Sequence, residues 1–295
     1  IQAIFNSPVP IALLYASICK KPTFLSSRGA LASWGLKEKK TLWKKIWLAL
    51  FIRPFANRIT WHATSEAEKK DIQTIYKSAK VMVIPNGVSF DSLKPVKMDN
   101  KGFNLRFGGH DSEKSPIIVT MARLHYVKGI DILIQSFANI RKTFPNAVLY
   151  IAGPDGGELQ NLKKIAAELG LNHAVFFTGN LEGQDKADFL GNADVFVLPS
   201  HTENFGIVYA EALASGTPIV AGSNTPWEEI DSAGCGRHVP NTIEDTTNAM
   251  LDLLGRDREE LRQNALKYVQ KYDWKNIAKQ FKEQYDNALD NSGPN

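Results

Sequence analysis

The order of apolar and amphipathic segments in the second half of the chain limits its fold more than any other feature. Short apolar runs alternate there with longer segments of helical periodicity. The apolar runs lie at 116–121, 147–152, 174–178, 194–198 and 217–221, and the helical segments at 130–143, 157–169, 184–191 and 206–215. This alternation predicts an α/β fold with a doubly wound parallel sheet, because parallel strands are joined by crossovers that are usually helices.

The first half of the chain shows the same kind of pattern over a shorter length. The predicted elements are a buried helix at 11–16 and strands at 22–26 and 59–63. A capping-box pattern at Ser65 and Glu68 starts the next helix. Polar residues and glycine replace the apolar periodicity at 98–115, which predicts a linker between two domains.

Composition indicates a globular protein with a substantial core. The chain has 295 residues, of which 43% are hydrophobic and 22% charged, and this length favours more than one domain. Its two cysteines, Cys19 and Cys235, lack the spacing of metal ligands and favour a reducing compartment, so we expect a cytoplasmic protein. No apolar stretch approaches the roughly 20 residues of a membrane span. The chain starts at Ile1 without a signal-peptide pattern or an initiator methionine, which predicts a trimmed start.

Two carboxylates lie around a glycine where a loop is predicted to enter a helix. Glu203 precedes Gly206 on the loop after the apolar run at 194–198, and Glu211 follows within the helix. The carboxyl ends of parallel strands collect ligands, and the N–H groups at the start of the next helix attract anions. Carboxylates accept hydrogen bonds from vicinal hydroxyls, so this pair suits a sugar nucleotide. Two such carboxylates taken alone are more often solvated surface groups.

Two cations lie around the loop that follows the apolar run at 116–121. Arg123 offers a planar fork for phosphate oxygens, and Lys128 offers a compact point charge just before Gly129. Together they can hold a diphosphate and neutralise its charge as it leaves. Either residue alone is more often an ordinary surface cation.

The two segments together resemble the retaining glycosyltransferases of family 4. In that family an R-(x4)-K-G segment, here from Arg123 to Gly129, and an E-(x7)-E segment, here from Glu203 to Glu211, both face the nucleotide-sugar donor. Further similar segments are the P-N-G-V turn at 85–88, the F-x-G-x-L loop at 177–181, the A-x-G-x-P segment at 214–218 and the Y-x-W segment at 272–274.

The resemblance implies a GT-B type fold, with two Rossmann-like doubly wound domains of which the first is incomplete. It assigns 1–97 to a partial acceptor-side domain, 98–115 to the linker, 116–272 to the donor-binding domain and 273–295 to a helix that crosses back to the first domain. The glycine-rich loop that the family carries near its N-terminus has no counterpart here. The chain is therefore expected to lack part of the acceptor-side domain.

The resemblance also implies roles for the donor-site residues. Arg123 and Lys128 contact the phosphates, Glu203 contacts the sugar hydroxyls, and Glu211 binds the ribose. The other donor-binding residues implied are Asn204, Phe205, Gly206, Ile207, Gly153 and Leu181. Retention of configuration without a protein nucleophile is implied as well. The sequence contains no D-x-D triplet, so we expect neither a metal ion nor a cofactor. The choice between a UDP-sugar and a GDP-sugar stays open.

The candidate residues for contact with the acceptor lie where the sequence departs from the family pattern. Arg28 and Gly29 lie where many members place His-Gly beside the reacting sugar. Arg28 is a candidate to contact a phosphate or an acidic acceptor. The alternative is an arginine with a buried stem that pairs with a local carboxylate.

The segment 37–50 is basic and rich in tryptophan. One face of the helix predicted there carries Trp43, Ile46, Trp47 and Leu50. Interfacial helices combine lysines with aromatic residues, so the segment is a candidate for peripheral contact with a bacterial inner membrane. The alternative is a stripe packed on the sheet with its lysines solvated. Nucleic acid is not expected as a partner, because the lysines cluster in one helix without a recognised binding motif.

Two functions from different classes follow. The first is a metal-independent retaining glycosyltransferase of bacterial polysaccharide or lipopolysaccharide assembly. It would use a nucleotide-sugar donor and a glycan or lipid-linked acceptor. The second is a nucleotide-sugar-binding module without catalytic competence, because the shortened first domain does not complete an acceptor site.

Overall fold

The computed structural model describes residues 1–32, 41–109 and 115–290. The chain divides into two compact units, one made of Ile1–Gly87 and Trp274–Asn295 and the other of Val88–Asp273. The second unit is thus one continuous stretch of chain, whereas the first takes its last helix from the C-terminal end.

The first unit contains a parallel sheet with helices around it. Its elements before Gly87 are α1 (Pro8–Ile18), β1 (Phe24–Ser26), α2 (Thr41–Trp47), β2 (Thr60–Ala63), α3 (Glu66–Ile75) and β3 (Lys80–Val83). Within the described residues the strand order is β1-β2-β3, and both neighbouring pairs are parallel. The core includes Trp61, whose fully buried ring stacks on Tyr76 with 5.1 Å between ring centroids.

Only part of the predicted apolar face of segment 37–50 packs, since Trp47 lies against the core and donates to Ile4 O at 2.9 Å. Residues 37–40 lie outside the described part of the chain. After α2 the backbone continues as a π-helical stretch, Leu48–Ile52, and its buried side chains are Leu48 and Ile52. A π-helical turn is wider than an α-turn, so it shifts the phase of the side chains away from that expected at 3.6 residues per turn. Leu50, within this stretch, stays 63% exposed, and Trp43, which precedes it in α2, is 71% exposed. The alternative in which the whole stripe packs on the sheet is therefore wrong.

The second unit is built on a larger parallel sheet. Its strands are β4 (Ile117–Met121), β5 (Val148–Ala152), β6 (Val175–Gly179), β7 (Val195–Leu198), β8 (Ile219–Gly222) and β9 (Gly236–Val239). Its helices are α4 (Asn100–Phe107), α5 (Ile130–Thr143), α6 (Leu159–Glu168), α7 (Gly183–Gly191), α8 (Ile207–Ala214), α9 (Ile243–Leu254) and α10 (Arg258–Val269). The described strands follow the order β6-β5-β4-β7-β8-β9, so the direction of winding reverses between β4 and β7.

Both faces of this sheet are covered, which explains why its strands are continuous apolar runs. Along β4, Ile117 and Val119 belong to one buried core cluster, while Ile118 between them belongs to another. Successive side chains of a strand point to opposite faces, so each face of the sheet has its own core. The alternation of strands and helices predicted from the sequence is therefore the observed doubly wound arrangement.

The segment 98–115 is not the linker that its composition predicts. It contributes α4, whose N-cap Asp99 accepts a hydrogen bond from Gly102 N at 2.7 Å. Phe103 and Phe107 lie one helical turn apart and are buried against the core of the second unit. These two aromatic side chains anchor the helix, and the buried Asn104 between them accepts from the Tyr150 hydroxyl at 2.8 Å. The remaining polar residues give the segment the composition of a linker. Residues 110–114 lie outside the described part.

The C-terminal helix α11 (Trp274–Asp290) belongs to the first unit. Ile277 is fully buried in a cluster with Met82 and Ile84. Farther along the helix, Phe281 packs edge-on against His62 with 4.9 Å between ring centroids. Tyr285 packs on Phe24 of β1 with 4.7 Å between ring centroids, so the amphipathic helix covers one face of the sheet across all three described strands.

Candidate functional site

Loops after β4, β5 and β7 converge at one edge of the second unit's sheet, where the winding reverses. His201 N, after β7, donates to Val127 O, after β4, at 2.8 Å. Gly153, after β5, has a φ of 131°, and a Cβ there would lie 1.9 Å from Ala122 O. No side chain fits at that position, so glycine lets the two loops touch and fixes the rim of the site.

A cavity of about 410 Å³ opens at this edge. Four residues predicted from the sequence line it, namely Arg123, Gly153, Leu181 and Glu211. Lys186 and Glu182, which the sequence analysis did not identify, line it as well. The cavity therefore combines cationic and anionic side chains, as a ligand with phosphate and hydroxyl groups requires.

Arg123 is the exposed cation of this cavity. Its guanidinium makes no hydrogen bond or ion pair with the residues that the structure describes. The stem lies against Gly156, where an added Cβ would come 2.9 Å from Arg123 Cγ. The loop thus supports the stem and leaves the planar fork free to bind an anionic oxygen.

Glu211 is paired inside the cavity. Lys186 Nζ lies 2.5 Å from Glu211 Oε1, and the two side chains are 25% and 16% exposed. Lys186 comes from α7 and Glu211 from α8, so tertiary packing brings the pair together. A lysine on an amphipathic helix looks like an ordinary solvated residue in the sequence, and no local signal distinguishes this one.

Lys128 and Glu203 form a second ion pair and do not line the cavity. Lys128 Nζ donates to Glu203 Oε1, and Ser200 Oγ donates to the same oxygen at 2.9 Å. The pair joins the loop after β4 to the loop after β7. In this structure Lys128 is therefore occupied by a carboxylate, whereas Arg123 is not.

The start of α8 adjoins the cavity. Gly206, with a φ of 72°, precedes the first helical residue Ile207. The residues at the junction from Asn204 to Ile207 lie outside the cavity lining, which this helix reaches through Val208 and Glu211. The first N–H groups of a helix lack partners within the helix, so this end can bind an anion.

Phe205 anchors the loop from below. Its ring is buried and lies 5.3 Å from the rings of both Trp227 and Tyr272, measured between centroids. Trp227 Nε1 donates to Phe205 O at 2.6 Å. Tyr209, whose pKa is raised well above its ordinary value by burial, donates through its hydroxyl to Leu198 O at 2.5 Å. The Phe205 side chain and carbonyl are therefore part of the support of the loop, and its backbone N–H remains for a ligand.

Arg28 and Gly29 form a turn in the first unit. Arg28 has a φ of 51°, in the left-handed region, and its exposed guanidinium donates to Asn86 Oδ1 at 3.1 Å. The alternative of a buried stem paired with a carboxylate is wrong, because the partner is an amide and the side chain is exposed. Gly29 N instead donates to Glu68 Oε1 at 2.7 Å, so Glu68 holds the turn while Arg28 stays accessible.

The sequence predicts neither a metal site nor a membrane-spanning helix, and the described residues can be searched for both. Within residues 1–32, 41–109 and 115–290, no group of three or more His, Cys, Asp or Glu side chains is arranged to hold a metal ion. None of the helices described there is both long and apolar enough to cross a bilayer. Metal independence stays a prediction.

Comparison with known proteins gives a family match and several relatives. Residues 103–272 match the family described as glycosyl transferases group 1. An uncharacterized glycosyltransferase from Methanocaldococcus jannaschii is 34% identical over 241 residues, which are 78% of this chain and 60% of that protein. A GDP-mannose-dependent alpha-(1-6)-phosphatidylinositol monomannoside mannosyltransferase from Mycolicibacterium smegmatis is 33% identical over 61% of this chain and 49% of its own length. The chain spans between about a third and three fifths of the length of such relatives.

Solved structures match over nearly the whole chain. Anabaena HepE in complex with UDP and glucose has a TM-score of 0.78 at 22% identity, covering 97% of this chain and 77% of that one. WaaG, a glycosyltransferase involved in lipopolysaccharide biosynthesis, has a TM-score of 0.70 at 19% identity, covering 87% and 73%. These likenesses show the fold, which is of the GT-B type with two Rossmann-like parallel-sheet units.

Proposed function

The chain belongs to the group 1 glycosyl transferases, and from that premise we propose that it transfers a sugar from a UDP-sugar or GDP-sugar with retention of configuration. Within the group, the R-(x4)-K-G and E-(x7)-E segments favour family 4. One observation carries the proposal, namely that Arg123 and Glu211 line the same cavity at the carboxyl edge of a doubly wound sheet. A free guanidinium and a carboxylate there match the diphosphate and the ribose of one ligand.

The chemistry of the proposed step depends on the leaving group. Breaking a glycosyl-phosphate bond places negative charge on the diphosphate and positive charge on the sugar ring. Arg123 binds the diphosphate directly. Lys128 adds its charge when its ammonium leaves the Glu203 carboxylate and pairs with a phosphate oxygen instead. Glu203 is then released to accept hydrogen bonds from the sugar hydroxyls. Metal independence belongs to the proposal, because side-chain cations carry this charge compensation.

The acceptor in this proposal is a glycan or a lipid-linked molecule. The mannosyltransferase relative from Mycolicibacterium smegmatis carries phosphatidylinositol in its name, and WaaG is linked to lipopolysaccharide. Both point to acceptors of bacterial envelopes. Arg28 is the proposed acceptor-side contact, since its exposed guanidinium suits a phosphate on such an acceptor.

Peripheral membrane contact through α2 and the π-helical stretch completes the proposal. The surface exposes Leu42, Trp43 and Leu50 beside exposed Lys45. Aromatic and aliphatic side chains flanked by lysine favour an anionic lipid interface. Co-sedimentation should therefore recover more protein with vesicles that contain phosphatidylglycerol than with pure phosphatidylcholine. Equal recovery with both kinds of vesicle would remove this part of the proposal. So would a Trp43→Ser variant that is recovered with the phosphatidylglycerol vesicles as well as the parent is.

Nucleotide binding tests the proposed donor site most directly. We expect calorimetric titration of the chain to detect UDP or GDP, and mass spectrometry to detect hydrolysis or transfer from the matching sugar nucleotide with EDTA present. Arg123→Met and Glu211→Ala should each weaken nucleotide binding about tenfold or more. Lys164→Met, on the exposed surface of α6, is the matched control and should bind as the parent does. Failure of the parent to bind any nucleoside diphosphate would overturn the assignment of the donor site.

A further inference from the structure

Lys186 occupies a position that neither the sequence motifs nor the proposed chemistry uses. It lies on α7, lines the cavity, and holds Glu211 Oε1 at 2.5 Å. The pair is not a routine surface contact. The exposed pair Lys164 and Glu168 on α6 is separated by 3.8 Å with side chains 73% and 63% exposed, whereas those of Lys186 and Glu211 are 25% and 16% exposed.

We propose that Lys186 is a specificity-determining residue that binds the ribose diol of the donor jointly with Glu211, so that the site selects ribonucleotides over 2′-deoxyribonucleotides. This inference rests on the proposed function, in which Glu211 contacts the ribose. It assigns to Lys186 the hydrogen-bond donor to the ribose hydroxyls, which a carboxylate alone does not supply.

The hydrogen-bonding capacity of the pair matches a vicinal diol. An ammonium has three donors, and within the described residues Lys186 Nζ uses one of them, on Glu211 Oε1. Glu211 Oε2 accepts no hydrogen bond from those residues. Each ribose hydroxyl both donates and accepts, so a hydroxyl can donate to the carboxylate while its oxygen accepts from the ammonium. Removing one hydroxyl leaves a donor or an acceptor of the pair without its partner.

The position of Lys186 assigns it to the nucleoside end of the cavity. Its ammonium lies within one hydrogen bond of the carboxylate that the proposal places at the ribose. Leu181, one of the donor-binding residues that the family resemblance implies, lines the same cavity, and the phosphate-binding role falls to Arg123. Lys186 therefore acts on the sugar of the nucleotide and not on its phosphates.

Paired ribonucleotide and deoxyribonucleotide ligands test this inference. Calorimetry on the full chain would compare UDP with 2′-dUDP and GDP with 2′-dGDP, for the parent, Lys186→Met and Lys186→Gln. We expect the parent to prefer the ribonucleotide about tenfold, because a charge-assisted hydrogen bond is lost with the hydroxyl. Lys186→Met should abolish most of this preference. Lys186→Gln keeps a donor without the charge and should retain part of it. Lys164→Met controls for the loss of a lysine charge elsewhere.

The possible outcomes separate this inference from the function on which it rests. No binding of any nucleoside diphosphate by the parent overturns the proposed function, and the inference with it. Binding by the parent with no ribose preference overturns the inference alone. An unchanged preference in Lys186→Met, with the affinities for both ligands reduced equally, also overturns it, because Lys186 would then act through charge and not on the hydroxyl. Thermal unfolding of each variant verifies that the fold is retained.

Discussion

Glu68 in the first unit and Glu211 in the second are both shielded carboxylates near a glycine-containing turn, yet their surroundings differ. Glu68 is 2% exposed. Its oxygens accept from Ser27 Oγ at 2.6 Å, Gly29 N at 2.7 Å, and both Thr64 N and Thr64 Oγ1 at 2.8 Å. Glu211 accepts from Lys186 alone among the described residues and opens into a cavity.

The difference teaches how to separate a structural carboxylate from one that is available to a ligand. A carboxylate offers about four lone-pair sites, and at Glu68 the protein fills them. At Glu211 most of these sites remain for hydroxyl groups of a ligand. The number of protein donors around the oxygens therefore indicates the role better than burial alone does.

Replacing Glu68 should have the largest effect and would affect stability. Glu68→Ala leaves the buried donors of Ser27, Gly29 and Thr64 without partners, so we expect the free energy of unfolding to fall by about 3 kcal/mol or more. Urea unfolding followed by circular dichroism measures this change. The matched control is Glu66→Ala on the same helix, whose exposed side chain pairs with Lys69 and should cost less than about 1 kcal/mol. Similar losses in both variants would refute the structural role of Glu68.

Replacing Glu203 should show the opposite balance. Among the described residues it accepts from Lys128 and Ser200 alone, so Glu203→Gln should lower the free energy of unfolding by no more than about 1 kcal/mol. We expect the rate of sugar transfer or donor hydrolysis to fall about tenfold or more, because the carboxylate that accepts from the sugar hydroxyls is lost. The two readouts are urea unfolding and product detection by mass. A stability loss as large as that of Glu68→Ala would place Glu203 among the structural carboxylates.

A pH series should show the smallest of these effects, and His62 of the first unit should contribute to it. Burial lowers the pKa of His62 from its ordinary value of 6.5, against the opposing effects of its hydrogen bond to Ile84 O and of the Glu68 charge, while Arg28 lowers it further. As pH falls below about 6.5, the unfolded chain takes up the proton before the folded one does. The His62 contribution is therefore present above that pH and is lost as pH falls towards the folded pKa.

Urea unfolding between pH 5 and 8 measures this dependence. Stability of the parent should fall towards the acid end by less than the loss caused by Glu68→Ala, and His62→Gln should flatten that part of the curve. An equal slope in parent and variant would show that His62 does not carry the effect.

Much of the second unit was predictable because buried parallel strands are continuous apolar runs. The strands from β4 to β8 lie within two residues of their predicted starts, and α5 occupies its predicted range. The edge strand β9 was missed, since Gly236-Arg237-His238-Val239 has polar residues in its centre and only one neighbouring strand. The helix α4 was missed because its two anchoring aromatic residues are set among polar ones.

The site was predictable only where a residue belongs to a local motif. Arg123 and Glu211 were identified from short spacings, and they meet because the fold joins the carboxyl ends of distant strands. Lys186 was not identified, since its role depends on a partner 25 residues away on another helix. Likewise, Glu68 was assigned to a capping box from its local sequence. Its side chain also accepts from Ser27 and Gly29, about 40 residues upstream, and no local pattern predicts these contacts.

The indole of Trp227 has an optical consequence. It is the single tryptophan between Val88 and Asp273. Its N–H donates a hydrogen bond to the carbonyl oxygen of Phe205, two residues after Glu203. Tryptophan emission depends on the hydrogen bonding and polarity around the ring. Any ligand that shifts the Glu203–Gly206 loop will therefore alter the fluorescence of Trp227. In a variant with the other tryptophans replaced by phenylalanine, the emission of Trp227 would report movement of this loop without an added label.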